Sequence, residues 1–573
     1  LMLLEEMTGR RQIELLGGGF HAPILPLVPN SDRLGQVEQL TTYLRKFFGK
    51  RPRGAWLSEF AWEPWLASTL QACGMDYTFL SEPQFAAAVG QETRFEPVVT
   101  EDQGRCITVF PATDLATLPG KPLSLEQGGE TLAARGTGLG VLMMQGESIR
   151  SQWSRSGLES PDIYLERAFA WFRKNTLEIE TTTPSRYLKT SRPYRRAYFP
   201  GSASRAFSAA CLPSGNHEQA VQPPSLRSAV LRSAASSALY SRMHWVQLLI
   251  GQLRGDRSRK KTATEDLWRG QCGDAYWPAP SGGIVLPSVR QAAYRALMDA
   301  EQTTRSKASF KPGILRADTD FDGAKELVYQ GTELNAFVHK RGGALVGMET
   351  VKSKRNVLDL YCPEPDGDRA HRHAFLDRTY LSAPGTSWAR EPWKADAGTF
   401  SRHAFEELQS LANSSSLTLY REDVVGTSQA RRMLGLKKTY SFHKKTARAS
   451  YELSNKSDAR FSFWLGVEFN VAVLPDELSA LTLDGTKVDA ALAHAQKGAA
   501  LGEAQGFAYR CEDEARSVAV HASKKANALA AGVSAELADG VQVAQGSCLL
   551  LWWKIDLEPD GLWSMDINVS CGE

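Results

Sequence analysis

Residues 54–64 read GAWLSEFAWEP and set one carboxylate, Glu59, between Trp56 and Trp62. A carboxylate among aromatics has a definite chemical use. Flat indole faces can carry sugar rings, and a carboxylate beside them can attack an anomeric carbon to form a glycosyl-enzyme intermediate. That chemistry needs a second carboxyl group, about 5–5.5 Å away, to donate and then accept a proton. Taken alone, a loop glutamate beside tryptophans is more often a structural acid. No other constellation competes with it. The histidines at 21, 217, 244, 371, 373 and 403 show neither HExxH nor paired ligand spacing, and HRH (371–373) reads as a solvated loop. The stretch DFDGAKE (320–326) carries Asp320 and Asp322 but lacks the later ligands of an EF-hand, so a plain turn is expected. GGG (17–19) is no dinucleotide fingerprint, and CLPSG (211–215) is no nucleophile elbow. Neither a cofactor nor a metal is expected.

The elements that must position Glu59 follow from periodicity. Leu34, Val37, Leu40, Leu44, Phe47 and Phe48 recur at helical spacing. GAWL (54–57) suits a buried strand. A helix is expected from Glu63, with Pro64 in its first turn, Leu66 and Leu70 on one face and Gly74 at its end. DYTFL (76–80), CITVF (106–110) and GLGVLMM (138–144) read as further buried strands, and 161–174 as a helix. Alternating buried strands and helices predict an α/β layout with a parallel sheet or barrel. Glu59, just past a strand, then falls on the barrel's C-terminal face, where active sites gather. From about 185 to 305 the pattern is helical. It is broken by a Pro/Ser/Gly-rich connection at 212–226 and by the basic run RGDRSRKK (254–261), read as a solvated loop. After about 310, alternating stretches such as FSFWLGVEFNVAVL (461–474) and GSCLLLWWKIDL (546–557) predict a large antiparallel β-domain.

Three further stretches, with WLSEFAWEP, occur in an order that resembles glycoside hydrolase family 57, in particular its 4-α-glucanotransferases and α-amylases. WLSEFAWEP is similar to the family's nucleophile motif, Trp-Leu-Thr-Glu-Arg-x-Trp-x-Pro. QIELLGGGFHAPILPLVPNSDR (12–33) resembles the region upstream of it. QCGDAYWPAPSGGIVLP (271–287) resembles a late motif, and DTDFDG (318–323) with LGVEFNVAV (465–473) the family's β-sandwich. SRYLKTSRPYRRAYFPGSAS (185–204) fits loosely. The resemblance implies an incomplete (β/α)7-type barrel over 1–184, a helical subdomain over 185–308 and a C-terminal β-sandwich over 309–573. It implies Glu59 as the nucleophile, with Glu14, Trp56, Trp62, Trp153, Asp274 and Trp277 around an α-1,4-glucan or maltooligosaccharide.

The expected second carboxylate is missing. The family's acid/base aspartate falls on Gln145 of VLMMQGES (141–148), with Met143 and Met144 before it where the family has His and Asp. Gly146 and Glu147 agree, and Trp153 matches the family's tryptophan if one residue is inserted. An amide cannot donate a proton and take it back, and such assistance is commonly worth about 10²–10⁴-fold. Glu147 lies some 6 Å further along an extended segment and matches a supporting glutamate of the family. Phe60 stands where the motif has arginine, Gly273 where it has asparagine and Pro278 where it has histidine. The helical segment lacks the family's Gly-Gly-x-Trp and Lys-Tyr-Pro-Glu-Ser-Asn signatures and carries RSAASSALYSRMHW (232–245) instead. Leu1 opens a stretch that reads as the middle of a domain, and the family's histidine-bearing first strand would precede it. The expectation is therefore a degenerate glucanotransferase or amylase of weak or lost activity, or a non-catalytic α-glucan-binding or structural protein.

Bulk properties narrow the class. The chain has 573 residues and a net charge of +3, so neither size nor charge calls for nucleic acid. No apolar run of about 18 residues implies a membrane span. Eight scattered cysteines without CxxC pairs suit reduced, mostly buried thiols and a cytoplasmic setting. Assembly into a homo-oligomer is left open.

Overall fold

In the computed structural model the described residues are all except 1, 91–95, 115–123, 135–138, 145, 147–152, 154–159, 213–222, 224, 306–309, 363–371, 390, 410–414, 428–429 and 573. Contacts divide the chain into two units. The first comprises residues 1–229 with 271–273, and the second 230–270 with 274–573.

The first unit is built on a short mixed sheet of β1 (Gly54–Ala55), β2 (Tyr77–Ser81), β3 (Val98–Asp102), β4 (Arg105–Asp114) and β5 (Leu142–Met143). Its parallel path runs β1–β2–β4–β5. Gly17 extends it by a parallel bridge to Ala55, and β3 is an antiparallel hairpin strand on β4. The result is a half-barrel, as expected from the alternating buried strands. Most of GLGVLMM lies outside β5, which keeps only two of its residues. Small residues on β1 are required: a Cβ at Gly54 would sit 2.1 Å from Cε2 of Tyr77 on the neighbouring strand.

The helices follow the sequence closely in place and less closely in facing. Asn30–Phe48 ends at Gly49, which takes φ 68°. Its buried face holds Asp32, Gln36, Val37 and Thr41, while Phe47 is exposed. The polar members are sheltered because Gln271 ties them together. Its amide donates to Asp32 Oδ2 at 2.7 Å, and its carbonyl accepts from Gln36 at 2.9 Å. The helix expected from Glu63 spans Leu66–Ala72, and Leu66 and Leu70 are both fully buried. Pro161–Lys174 coincides with the expected helix and is capped by Ser160, whose side chain accepts from Ile163 N.

The second unit joins three helices, Ala234–Gly251, Arg257–Gly270 and Pro287–Thr304, to an all-β region. Most of RGDRSRKK is helical rather than loop. Asp256 accepts from Arg259 N at 2.9 Å and starts the helix. The β region is antiparallel, and its strands hydrogen-bond in a closed circuit. Thr446–Asn455 alternates buried and outward residues, as a half-buried strand should. Phe461–Val471 is instead a central strand, paired with Ala374–Tyr380 along one edge and Gln542–Leu557 along the other; one face packs Phe463, Leu465, Val467 and Phe469 into the main core, and on the other Trp464 packs in a cluster with Tyr380, Trp388 and Leu550. Its Glu468 survives burial by pairing with Arg378 at 2.7 Å.

Buried arginines bind the helices of this unit to its strands. Arg242 donates to Glu301 and, at 2.8 Å, to Glu349. Arg290 donates to Asp359 at 3.0 Å and to Gln545 at 2.8 Å. No disulfide joins the eight cysteines, and Cys73, Cys211, Cys511, Cys548 and Cys571 are buried. Among the described residues no helix is long and apolar enough to cross a membrane.

Candidate active site

β1 ends at Ala55, and the chain leaves it through Trp56 and Leu57 into a tight turn, Ser58–Phe60. Glu59 takes φ 56° and Phe60 φ 48°, two consecutive left-handed residues that are not glycine. Such conformations cost about 1–3 kcal/mol each and persist where surrounding contacts over-determine them. Here the contacts are specific. The Glu59 carbonyl accepts from Ser204 N at 2.6 Å, and the Phe60 carbonyl accepts from the buried Gln84 amide at 3.0 Å. The same Gln84 amide donates to Ser202 Oγ at 2.8 Å. Trp62 pairs with Ser202 through both backbone groups.

The Glu59 carboxylate, half-buried, accepts from Ser204 Oγ at 2.6 Å. That hydroxyl in turn accepts from Phe207 N at 3.2 Å, capping Arg205–Ala210. The serine therefore has its acceptor side occupied and its proton aimed at Glu59. Glu14, also half-buried, is held in a parallel manner. One oxygen accepts from Ser185 N at 3.0 Å and the other from the Ser185 hydroxyl. Glu14 lies beside Tyr77, whose phenol is pushed up by burial first and by the Glu14 charge second. Both serines belong to 185–204, the stretch whose sequence matches only loosely.

The predicted aromatics divide sharply. Trp56 is exposed and rests edge-on against Phe60 with ring centroids 5.0 Å apart. Below it Phe79, Tyr77 and Phe110 form a continuous aromatic floor, with centroids 5.5–5.7 Å apart. Trp62 is fully buried, and its indole donates to the Phe199 carbonyl at 3.3 Å. It holds the turn and offers no face to a sugar. Trp277, in the second unit, is also buried, with its carbonyl accepting from Ala279 N and Ile284 N. Asp274 is exposed and Trp153 half-buried. Gln145 and Glu147 lie outside the described residues, as do His217 and His371. β5 is described to Met143, so a parallel strand does end just before position 145.

A separate cleft of about 530 Å³ opens beside the start of Asn30–Phe48, lined by Arg33, Trp65, Arg105 and Arg227 among others. Arg33 covers the Trp65 ring at 3.8 Å. Burial, then repulsion from Arg227, lowers Arg33 to about 10 against the opposing pull of Asp32.

Residues 1–200 match glycosyl hydrolase family 57. Residues 226–304 and 366–567 match the middle and C-terminal domains of alpha-amylase/4-alpha-glucanotransferase. Residues 1–200 thus carry a glycosyl hydrolase family 57 domain. The chain is 27% identical over 396 residues to a 4-alpha-glucanotransferase of Thermococcus kodakarensis, covering 63% of this chain and 57% of that protein. It is 28% identical over 400 residues to an alpha-amylase of Pyrococcus horikoshii, covering 65% and 60%. The match thus spans about three fifths of these relatives' length. The fold of this chain superposes on the crystal structure of 4-alpha-glucanotransferase from Thermococcus litoralis with a TM-score of 0.81. That match has 21% identity and covers 99% of this chain and 89% of that one.

Proposed function

We propose that this chain binds α-1,4-glucans around Glu59 and Trp56, and that it turns them over weakly or not at all for want of an acid at position 145. The observation that carries the reading is the Glu59 turn: a carboxylate just past a parallel strand, in a left-handed conformation, fixed by Ser204 and flanked by an exposed indole. A fixed carboxylate is what a nucleophile of a retaining enzyme requires, since attack on the anomeric carbon tolerates little misplacement. Glu14, anchored by Ser185, supplies a second hydrogen-bond acceptor for sugar hydroxyls.

Mechanistically, Glu59 would attack C1 of the glucosyl residue while the glycosidic oxygen departs. The leaving oxygen needs a proton, and Gln145 has none to give. The same deficiency returns in the second step, where water or a glucan hydroxyl must lose its proton. Hydrolysis and transfer are both slowed, while binding through Trp56 and Glu14 is spared. The second reading, a protein that only binds α-glucan, is favoured by the amide at 145. The first, a slow enzyme, is favoured by the retention of Glu59 in its strained turn. The two are separated by prolonged incubation of maltoheptaose with the wild type and its Glu59→Gln variant, following product lengths. Slow products that vanish in Glu59→Gln support the enzyme. Silence from both, with maltoheptaose still bound, supports the binder. If maltoheptaose is neither bound nor altered, the proposal fails.

A further inference from the structure

The loop between strands Gly313–Ala317 and Glu326–Gln330 carries DTDFDG, for which the sequence favours a plain turn over a Ca²⁺ loop through Asp320 and Asp322. Folded, Asp320, Asp322, Glu326 and His339 bring one ligand atom each to within 4.8 Å of one another. Each carboxylate uses one oxygen to hold the loop and turns the other inward. Asp320 Oδ1 accepts from Asp322 N at 3.2 Å, and Asp322 Oδ1 from Ala324 N at 2.7 Å. Glu326 Oε2 accepts from the Thr319 backbone at 2.6 Å and its hydroxyl at 2.8 Å. The inward oxygens, Asp320 Oδ2, Asp322 Oδ2 and Glu326 Oε1, converge on His339 Nε2 at 3.4, 3.3 and 3.8 Å.

Glu326 is the decisive member. It is only 1% exposed, and its inward Oε1 has no hydrogen-bond donor. A buried carboxylate oxygen left in that state is costly unless something positive meets it. Asp318 Oδ1, in the same loop, is likewise buried without a donor. One imidazole cannot satisfy this set. His339 Nδ1 accepts from Arg341 N at 2.9 Å, which leaves the ring proton on Nε2. The ring is then a donor toward the carboxylates and not a metal ligand. The available ligands are therefore all oxygen, the set that suits hard divalent cations rather than zinc.

We propose that Asp320, Asp322 and Glu326 form a Ca²⁺ site whose remaining positions are filled by water. The ion would join the loop to the strand that begins at Glu326. Ser241 already donates to the Asp320 carbonyl at 3.1 Å, so helix Ala234–Gly251 is tethered to the same loop. The proposal is independent of the glucan site, which lies in the other unit.

The test is calcium titration of the EDTA-treated, dialysed full chain by calorimetry, with a thermal melt alongside. The expected result is one Ca²⁺ per chain, half-saturation below about 1 mM, and a Tm that rises with Ca²⁺. Asp322→Asn, at a half-exposed position that leaves the fold intact, should bind at least tenfold more weakly, and Glu326→Gln should do the same. His339→Gln should still bind Ca²⁺. No uptake by the wild type up to about 10 mM Ca²⁺, well above this range, would overturn the proposal. So would Asp322→Asn binding as well as wild type, or a Zn²⁺ site that disappears in His339→Gln.

Discussion

The carboxylate of Glu59 stands on a backbone that disfavours it, held in place by contacts to Ser204. At φ 56° a Cβ is a liability, and glycine would relieve it. Glu59→Gly should therefore be more stable than Glu59→Ala by about 1 kcal/mol, read as a difference in denaturation midpoint. Equal midpoints would mean that the turn relaxes and that its strain is not held by the fold. Ser204 does two things with one hydroxyl, capping a helix and donating to Glu59. Ser204→Ala should cost about 1 kcal/mol of stability through the cap and should loosen the carboxylate. In a Gln145→Asp background, where turnover can be measured, it should lower kcat more than it raises KM. The proposal of Glu59 and Trp56 could be made from the sequence because their motif is short and contiguous, and that of Glu14 from a separate stretch upstream. Ser185 and Ser204 could not be found in this way, because a serine beside a helix start announces only a cap. Their service to Glu14 and Glu59 depends on partners 171 and 145 residues away.

At the scale of elements, the strands and helices of the first unit were readable from periodicity, while their facing was not. Helix Asn30–Phe48 shows an apolar stripe, yet it buries Asp32 and Gln36 and exposes Phe47. The reason is Gln271, far along the chain, whose single amide satisfies both polar side chains, its NH2 donating to Asp32 and its carbonyl accepting from Gln36. Trp62 misleads in the opposite way. A tryptophan beside a candidate nucleophile suggests a platform, but two backbone pairings with Ser202 draw it into the core. The basic run at 254–261 is solvated as expected but mostly helical where a loop was expected, since Asp256 supplies a cap that charge patterning alone does not reveal. Close packing of β1 on β2 makes its own prediction. Gly54→Ala sets a methyl against the Tyr77 ring and should cost about 1–3 kcal/mol. Tyr77 would shift, and with it the floor beneath Trp56 and Glu14. An unchanged midpoint in urea denaturation would show that the ring yields freely.

Across the whole molecule, the charges that matter most are buried. Glu301 lies under Arg242 and Arg305 in the second unit. Burial alone would raise its carboxyl, but the two guanidinium groups outweigh burial and hold it at about 2, from an ordinary value of 4.5. A depressed folded value means that the unfolded chain takes up the proton first. The stabilisation is thus fully present above about pH 4.5 and is lost as pH falls towards 2. The contribution of Glu301 to the urea midpoint of the second unit, read as the difference between wild type and Glu301→Gln, should be constant above pH 5 and fall below pH 4.5. Arg242→Met should destabilise by about 3–5 kcal/mol, because it leaves the buried Glu349 without its guanidinium partner and Glu301 with Arg305 alone. A smaller loss, with the acid limb unchanged, would mean that the cluster is not what ties the helices to the strands. The order of half-barrel, helices and β region was legible because each has its own period. The pairing of buried arginines with acids 59 and 107 residues away was not.

Glu59 as the nucleophile and Gln145 in the place of the proton donor are both proposals, and one measurement tests the two together. Maltoheptaose should be incubated with the wild type, with Gln145→Asp and with the double variant Glu59→Gln, Gln145→Asp. The account predicts slow or absent product from wild type, a gain of about 10²-fold or more in Gln145→Asp, and silence from the double variant. A Gln145→Asp protein no faster than wild type, or a double variant as active as the single one, would contradict it.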